Sequence, residues 1–210
     1  MEWILQIPVL FFSIIFHEFA HGYAAYRRGD DTAYLSGRLS FNPLPHIDPV
    51  GTVVLPALCI MAGFPALGWA KPVPVNPYRM HSPRTDMAFV ALSGPLSNLA
   101  LVAVSIVMLK IVSLGFLGEG LTEPMLITFG FAIQINLLLA VFNMFPVFPL
   151  DGSQVALGLL KGRALEIYEK HLPYGFYLIL GLVVTGLLQK ILAPILNFAR
   201  QMVVFVYTMI

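Results

Sequence analysis

Four stretches of this chain, residues 3–26, 87–109, 125–145 and 174–192, are each apolar over about 20 residues, enough to cross a hydrocarbon core of about 30 Å. No other feature constrains the fold as much. Inside a bilayer every backbone amide must find its partner within the protein, which leaves helices or closed barrels. Continuous apolar runs of this length, without period-2 alternation, read as helices. Composition points the same way: of 210 residues, 58% are hydrophobic and 11% are charged, where a soluble domain carries about 25% charged residues. The expected fold class is therefore all-α integral membrane, a polytopic helical bundle forming one domain over residues 1–210.

The few charges exclude some functions. Twelve basic and eleven acidic residues, net +1, are scattered singly, leaving no basic stripe to follow a phosphate backbone, so no nucleic-acid partner is expected. The one cysteine, Cys59, sits in an apolar run and reads as a small buried residue. The opening MEWILQIPVLFFSIIF lacks a basic leader and a small-residue cleavage site, and reads as mature membrane helix rather than a secretory signal.

Between the first two spans, residues 47–69 are apolar but broken by Pro49, Gly51, Pro56, Gly63 and Pro65, which suits a re-entrant segment better than a straight helix. A tail over residues 193–210 follows Pro194 and is open to a further span, a surface helix or a kinked continuation. SGRLSF and AKPVPVNPYRM could add short β-strands to a membrane-associated loop. With 47–69 not crossing, spans one and three end on one side. The loops there carry nine of the twelve basic residues (Arg27, Arg28, Arg38, Lys71, Arg79, Arg84, Lys161, Arg163 and Lys170), whereas residues 113–124 carry only Glu119 and Glu123. The positive-inside rule puts the basic side in the cytoplasm of a multi-pass plasma-membrane protein.

Within span one the sequence reads FHEFAH. His17 and His21, four apart, project from one helix face and can share a metal ion, with Glu18 within reach of water activated there. Two imidazoles and a carboxylate in hydrocarbon need partners, which a metal supplies; a hydrogen-bonded polar cluster or a proton relay is the structural alternative. A zinc site of the catalytic kind takes three protein ligands and leaves one position open. Asp151, in NMFPVFPLDG at the end of span three, can be the third, because Pro146 and Pro149 break the helix and Gly152 lets the chain turn. It can equally cap the helix that follows.

HExxH in one membrane helix with NxxPxxPLDG in a later one resembles the site-2 protease family of intramembrane zinc metalloproteases, peptidase family M50. The resemblance runs from about Ser13 to Gly152 and includes SGPLSN. It implies a three-helix catalytic core built from the spans at residues 3, 87 and 125. His17, His21 and Asp151 match the ligands of one Zn2+, Glu18 the catalytic glutamate, and Asn143 the asparagine that orients substrate or stabilises an oxyanion. The implied reaction is hydrolysis of peptide bonds in or near transmembrane helices of membrane-protein substrates, with the site toward the cytoplasm. Many relatives carry PDZ or CBS domains; this chain starts directly with the HExxH span and has no room for them, so substrate filtering falls to the bundle, the loop or a separate regulatory partner.

Plainer readings stand beside these. Asn143 can make an interhelical hydrogen bond, and SGPLSN can serve close helix packing. Asn42, His46 and Asp48 suit loop capping more than a second metal site. His81 and His171 read as loop residues. A small metal or proton transporter is the competing function; it is disfavoured because the ionisable groups gather toward one face with no inverted repeat. An inactive adaptor of the same fold is the third reading, opposed by the intact set of His17, Glu18, His21 and Asp151.

Overall fold

The computed structural model describes residues 3–54, 57, 58, 61, 70–115 and 118–208. Four long helices dominate it: α1 (Trp3–Arg27), α3 (Pro83–Ser113), α4 (Glu119–Asn143) and α8 (Leu187–Thr208), each long and apolar enough to cross a membrane. Shorter helices fill the joints, namely α2 (Thr32–Leu35), α5 (Asp151–Leu159), α6 (Gly162–His171) and α7 (Gly175–Val184).

The centre of the bundle is α3, which packs against α1, α4, α5 and α8. It starts with Pro83 in the first turn, where the missing N–H costs nothing, and Asp86 accepts the backbone N–H of Ser82 at 2.7 Å. At 31 residues it is about 46 Å long, so it projects well beyond a hydrocarbon core of about 30 Å. Two apolar clusters hold its ends: Ala25, Met80 and Val90 at one, and Val102, Leu109 and Ile133, backed by Val203 and Val206 of α8, at the other. Between them the contacts are polar. Outward, side chains such as Ile7, Phe12, Leu96, Val104, Phe198 and Phe205 are exposed, an apolar surface suited to lipid rather than to water.

The third span ends where the sequence expects a break. Met144 closes α4, Pro146 and Pro149 lie in the turn that follows, and α5 begins at Asp151. Its capping residue is Leu150, whose side chain makes no cap bond. Gly152 matters here for space rather than for turning: a Cβ on it would run into the backbone carbonyls of Met144 and Phe145.

Two expectations need correction. The stretch 174–192 is not one span: α7 stops at Val184, Gly186 turns the chain at φ +70°, and the long helix is α8, running through Pro194 to Thr208. A left-handed glycine ends a helix more firmly than proline interrupts one, because proline in a membrane helix removes one hydrogen bond that neighbours can replace. The tail from 193 is therefore the body of the fourth long helix. No strand forms at residues 36–41 or 70–80 among the described residues. Pro72, Pro74 and Pro77 cannot donate to a ladder, and the amides of Val73 and Asn76 go to the carboxylates of Glu18 and Asp30. Most of the expected re-entrant stretch 47–69 lies outside the described residues; its start is a π-helical turn, Pro49–Val54, capped by Asp48, which accepts the N–H groups of Val50 and Gly51 at 2.9 and 2.7 Å. Asn42 likewise caps Leu44 at 3.1 Å, so both serve the loop.

Candidate active site

One helical turn apart on α1, His17 and His21 pack edge to face, with ring centroids 4.6 Å apart. Their Nε2 atoms are 3.0 Å from each other. From the start of α5, Asp151 closes the triangle, Oδ2 at 3.1 Å from His17 Nε2 and Oδ1 at 3.3 Å from His21 Nε2. The edge of a tetrahedron with metal–ligand bonds of about 2.0–2.1 Å is about 3.3 Å, close to each of these separations, and one ligand atom from each of the three residues lies within 4.8 Å of the other two. Among the described residues no other histidine, cysteine or carboxylate group is gathered in this way.

The protons decide what can fill the triangle. His17 Nδ1 is 2.6 Å from Asn98 Oδ1, an acceptor because Asn98 Nδ2 donates to Asn136 Oδ1 at 2.8 Å. His21 Nδ1 is 2.7 Å from the carbonyl oxygen of Val90. Both imidazoles thus carry hydrogen on Nδ1, which in the neutral ring leaves lone pairs on both Nε2 atoms. These lone pairs face each other and a carboxylate. Asp151 Oδ2 is buried and lacks hydrogen-bond geometry to anything, although His17 lies within 3.1 Å. A carboxylate and two imidazole Nε2 atoms turned toward one another fit a divalent cation, and mixed nitrogen and oxygen donors suit zinc.

The backbone of α3 closes the site from behind. A Cβ on Gly94 would come within 2.5 Å of His21 Cε1 and Nε2 and 2.6 Å of His17 Cε1, so only glycine lets α3 approach the two rings.

Comparison with known proteins agrees with this arrangement. Residues 111–185 match the pattern of peptidase family M50. Over 210 aligned residues the chain is 36% identical to "Putative zinc metalloprotease YwhC" of Bacillus subtilis (strain 168), covering 97% of this chain and 91% of that protein. It is 31% identical over 140 residues to "Putative zinc metalloprotease Rip2" of Mycobacterium tuberculosis, covering 67% of this chain and 51% of that one. The Rip2 protein of Mycolicibacterium smegmatis is 26% identical over 191 residues, covering 89% and 69%. No solved structure matches the chain. The chain belongs to peptidase family M50. It is a metallopeptidase of the site-2 type, all-α and built for a membrane.

In this M50 peptidase Glu18 stands beside the triangle, half-buried, with Oε2 accepting the backbone N–H of Val73 at 2.8 Å. Asn143, the last residue of α4, is half-buried and has no hydrogen-bond partner among the described residues. His46, His81 and His171 lie elsewhere, each on a backbone carbonyl: Ser40, Arg28 and Ile167.

Sequence reasoning missed a chain of polar side chains behind His17 of this M50 peptidase. From His17 it runs to Asn98, on to Asn136, and from Asn136 Nδ2 to Ser13 Oγ at 2.9 Å. Asn98 and Asn136 are 0% and 2% exposed. These links join α1, α3 and α4 at one level, and Asn136 fixes which way round the Asn98 amide sits. A signal was present: Ser13 and Asn136 are polar residues inside apolar spans, where such groups seek partners.

Proposed function

We propose that this M50 peptidase is an intramembrane zinc endopeptidase, holding one zinc ion per chain on His17, His21 and Asp151. The observation that carries this reading is the convergence of His17 Nε2, His21 Nε2 and the Asp151 carboxylate, with neighbouring atoms 3.0–3.3 Å apart. Bound there, zinc supplies Lewis-acid activation of water and of the scissile carbonyl. Glu18 is the base: Oε1, the oxygen not engaged by Val73, takes a proton from the attacking water and returns it to the leaving amine. Asn143, with an uncommitted amide at the end of α4, donates to the developing oxyanion.

The substrates are transmembrane helices of other membrane proteins, cut within or near the bilayer. Such helices hide their amides in internal hydrogen bonds, so the substrate unwinds locally first, helped by Gly, Pro or Asn in its span. The distribution of basic residues supports a site toward the cytoplasmic side of the plasma membrane, with a separate protein partner regulating access.

The test pairs metal content with cleavage. Purified protein should contain one zinc per chain and cut single-span substrates in liposomes. Glu18→Gln should keep its zinc and lose about 10³-fold in rate, whereas Asp151→Ala should lose zinc as well. Equal cleavage by wild type and Glu18→Gln would overturn the mechanism, and metal flux into the liposomes without proteolysis would replace it with transport.

A further inference from the structure

Residues 70–76, Ala-Lys-Pro-Val-Pro-Val-Asn, pass the C-terminal half of α1 without regular secondary structure. Pro72 and Pro74 have no amide hydrogen, so Val73 carries the one N–H between them. That hydrogen goes to Glu18 Oε2, 2.8 Å away. The Val73 side chain is 7% exposed and rests on α1 at Gly22, where a Cβ would come within 3.0 Å of Val73 Cγ1.

This strap is held by more than apolar contact. Arg38, just after α2, is 7% exposed and faces no carboxylate within pairing distance among the described residues. A guanidinium taken out of water has to be met by acceptors. Here they are backbone carbonyls: Nη2 donates to Lys71 O at 2.7 Å and Pro72 O at 3.0 Å, and Nη1 donates to Pro45 O. Lys71 N donates to His46 O at 2.9 Å. At the far end Asn76 N donates to Asp30 Oδ2 at 2.6 Å, and Asp30 is itself fully buried. Both carbonyls preceding the Val73 amide are therefore fixed, and the two prolines restrict the backbone around it.

A carboxylate that serves as a base must present one oxygen in a constant direction, and its terminal torsion is soft. A single stiff N–H on Oε2 sets the plane of the Glu18 carboxylate and leaves Oε1 for the proton. We propose that the strap over residues 70–76 is a positioning element for the base, in which Val73 N–H orients Glu18 and Arg38 holds Val73 in place. This rests on the reading of Glu18 as the base.

The decisive variant removes the N–H donor and puts an ester oxygen in its place, which also makes the Pro72 carbonyl a weaker acceptor for Arg38. Replacing Val73 by α-hydroxyvaline turns the amide into an ester, keeping the side chain and the chain path. In the zinc-loaded full-length protein, reconstituted with a single-span substrate, kcat should fall about 10- to 100-fold, the range for loss of a group that orients a ligand or base, while KM and zinc content stay unchanged. Val73→Ala, which keeps the N–H but loses packing against α1, should lower kcat less than the ester does. Arg38→Met should lower kcat in the same way, with Arg38→Lys recovering part of it. In a Glu18→Gln background the ester should change the residual rate little. Full kcat in the ester variant, or zinc lost in step with kcat, would overturn the proposal. Undiminished cleavage by Glu18→Gln alone would instead overturn Glu18 as the base.

Discussion

The bundle around His17, His21 and Asp151 and the C-terminal pair α7–α8 are built on different terms. In the first, α1, α3, α4 and α5 turn polar groups inward, and Ser13, His17, His21, Asn98 and Asn136 are all buried. In the second, α7 buries only Gly175 and α8 only Ala199, while apolar side chains from Phe176 to Tyr207 face outward. Lipid tails are as apolar as leucine, so an apolar helix gains little by choosing one neighbour over another. A buried amide or imidazole has few acceptable partners, and leaving one unmet costs about 1–3 kcal/mol. Polar groups therefore fix how the catalytic helices sit, and glycine and chain connectivity fix the rest.

Substitutions should separate the two regions by metal binding. Gly94→Val should have the largest effect, because its side chain must enter space held by both imidazoles; zinc content should fall below measurable levels, and a variant that retains stoichiometric zinc would break the comparison. Gly152→Ala should come next, since the added carbon meets backbone rather than a movable side chain. The displaced α5 would carry Asp151 with it, and chelator competition should show zinc binding at least tenfold weaker. Asn98→Leu removes the acceptor for His17 Nδ1 and should weaken zinc about 10- to 100-fold, whereas Asn98→Asp, which keeps an acceptor there, should weaken it less. A cobalt-substituted sample would report the same loss as a change in its d–d spectrum. Smallest of the four, Gly186→Ala forces a side chain into φ +70° and should cost about 1–2 kcal/mol of stability. That loss, read from thermal unfolding in detergent, should leave zinc binding unchanged; a loss of zinc would show that the two regions are coupled.

How legible each part was follows from the same contrast. HExxH places two imidazoles on one helix face by spacing alone, and PxxPLDG places a helix break beside a carboxylate, so His17, His21 and Asp151 could be named before any coordinates. The α7–α8 boundary could not: Gly186 lies in an apolar run that reads as continuous helix, and Pro194 competes with it as the apparent stop. Strands at residues 70–80 were a fair expectation from valine alternating with proline, but the amides that would have built a ladder are spent on Glu18 and Asp30. The contact to Glu18 is made by backbone and leaves no mark in side-chain chemistry beyond the prolines that flank it. Gly94 and Asn98 stood out only as packing residues of SGPLSN, since their distance to the histidines depends on how closely two helices approach.

None of the three candidate ligands is on α3, yet it grips both histidines, His17 through the Asn98 side chain and His21 through the Val90 carbonyl. Swinging α3 away from α1 would strip both imidazoles of their partners in one movement and free each ring to turn. An opening along the α1–α3 seam would therefore dismantle the candidate metal site. The hinges of any opening that spares it belong on the other sides of the bundle.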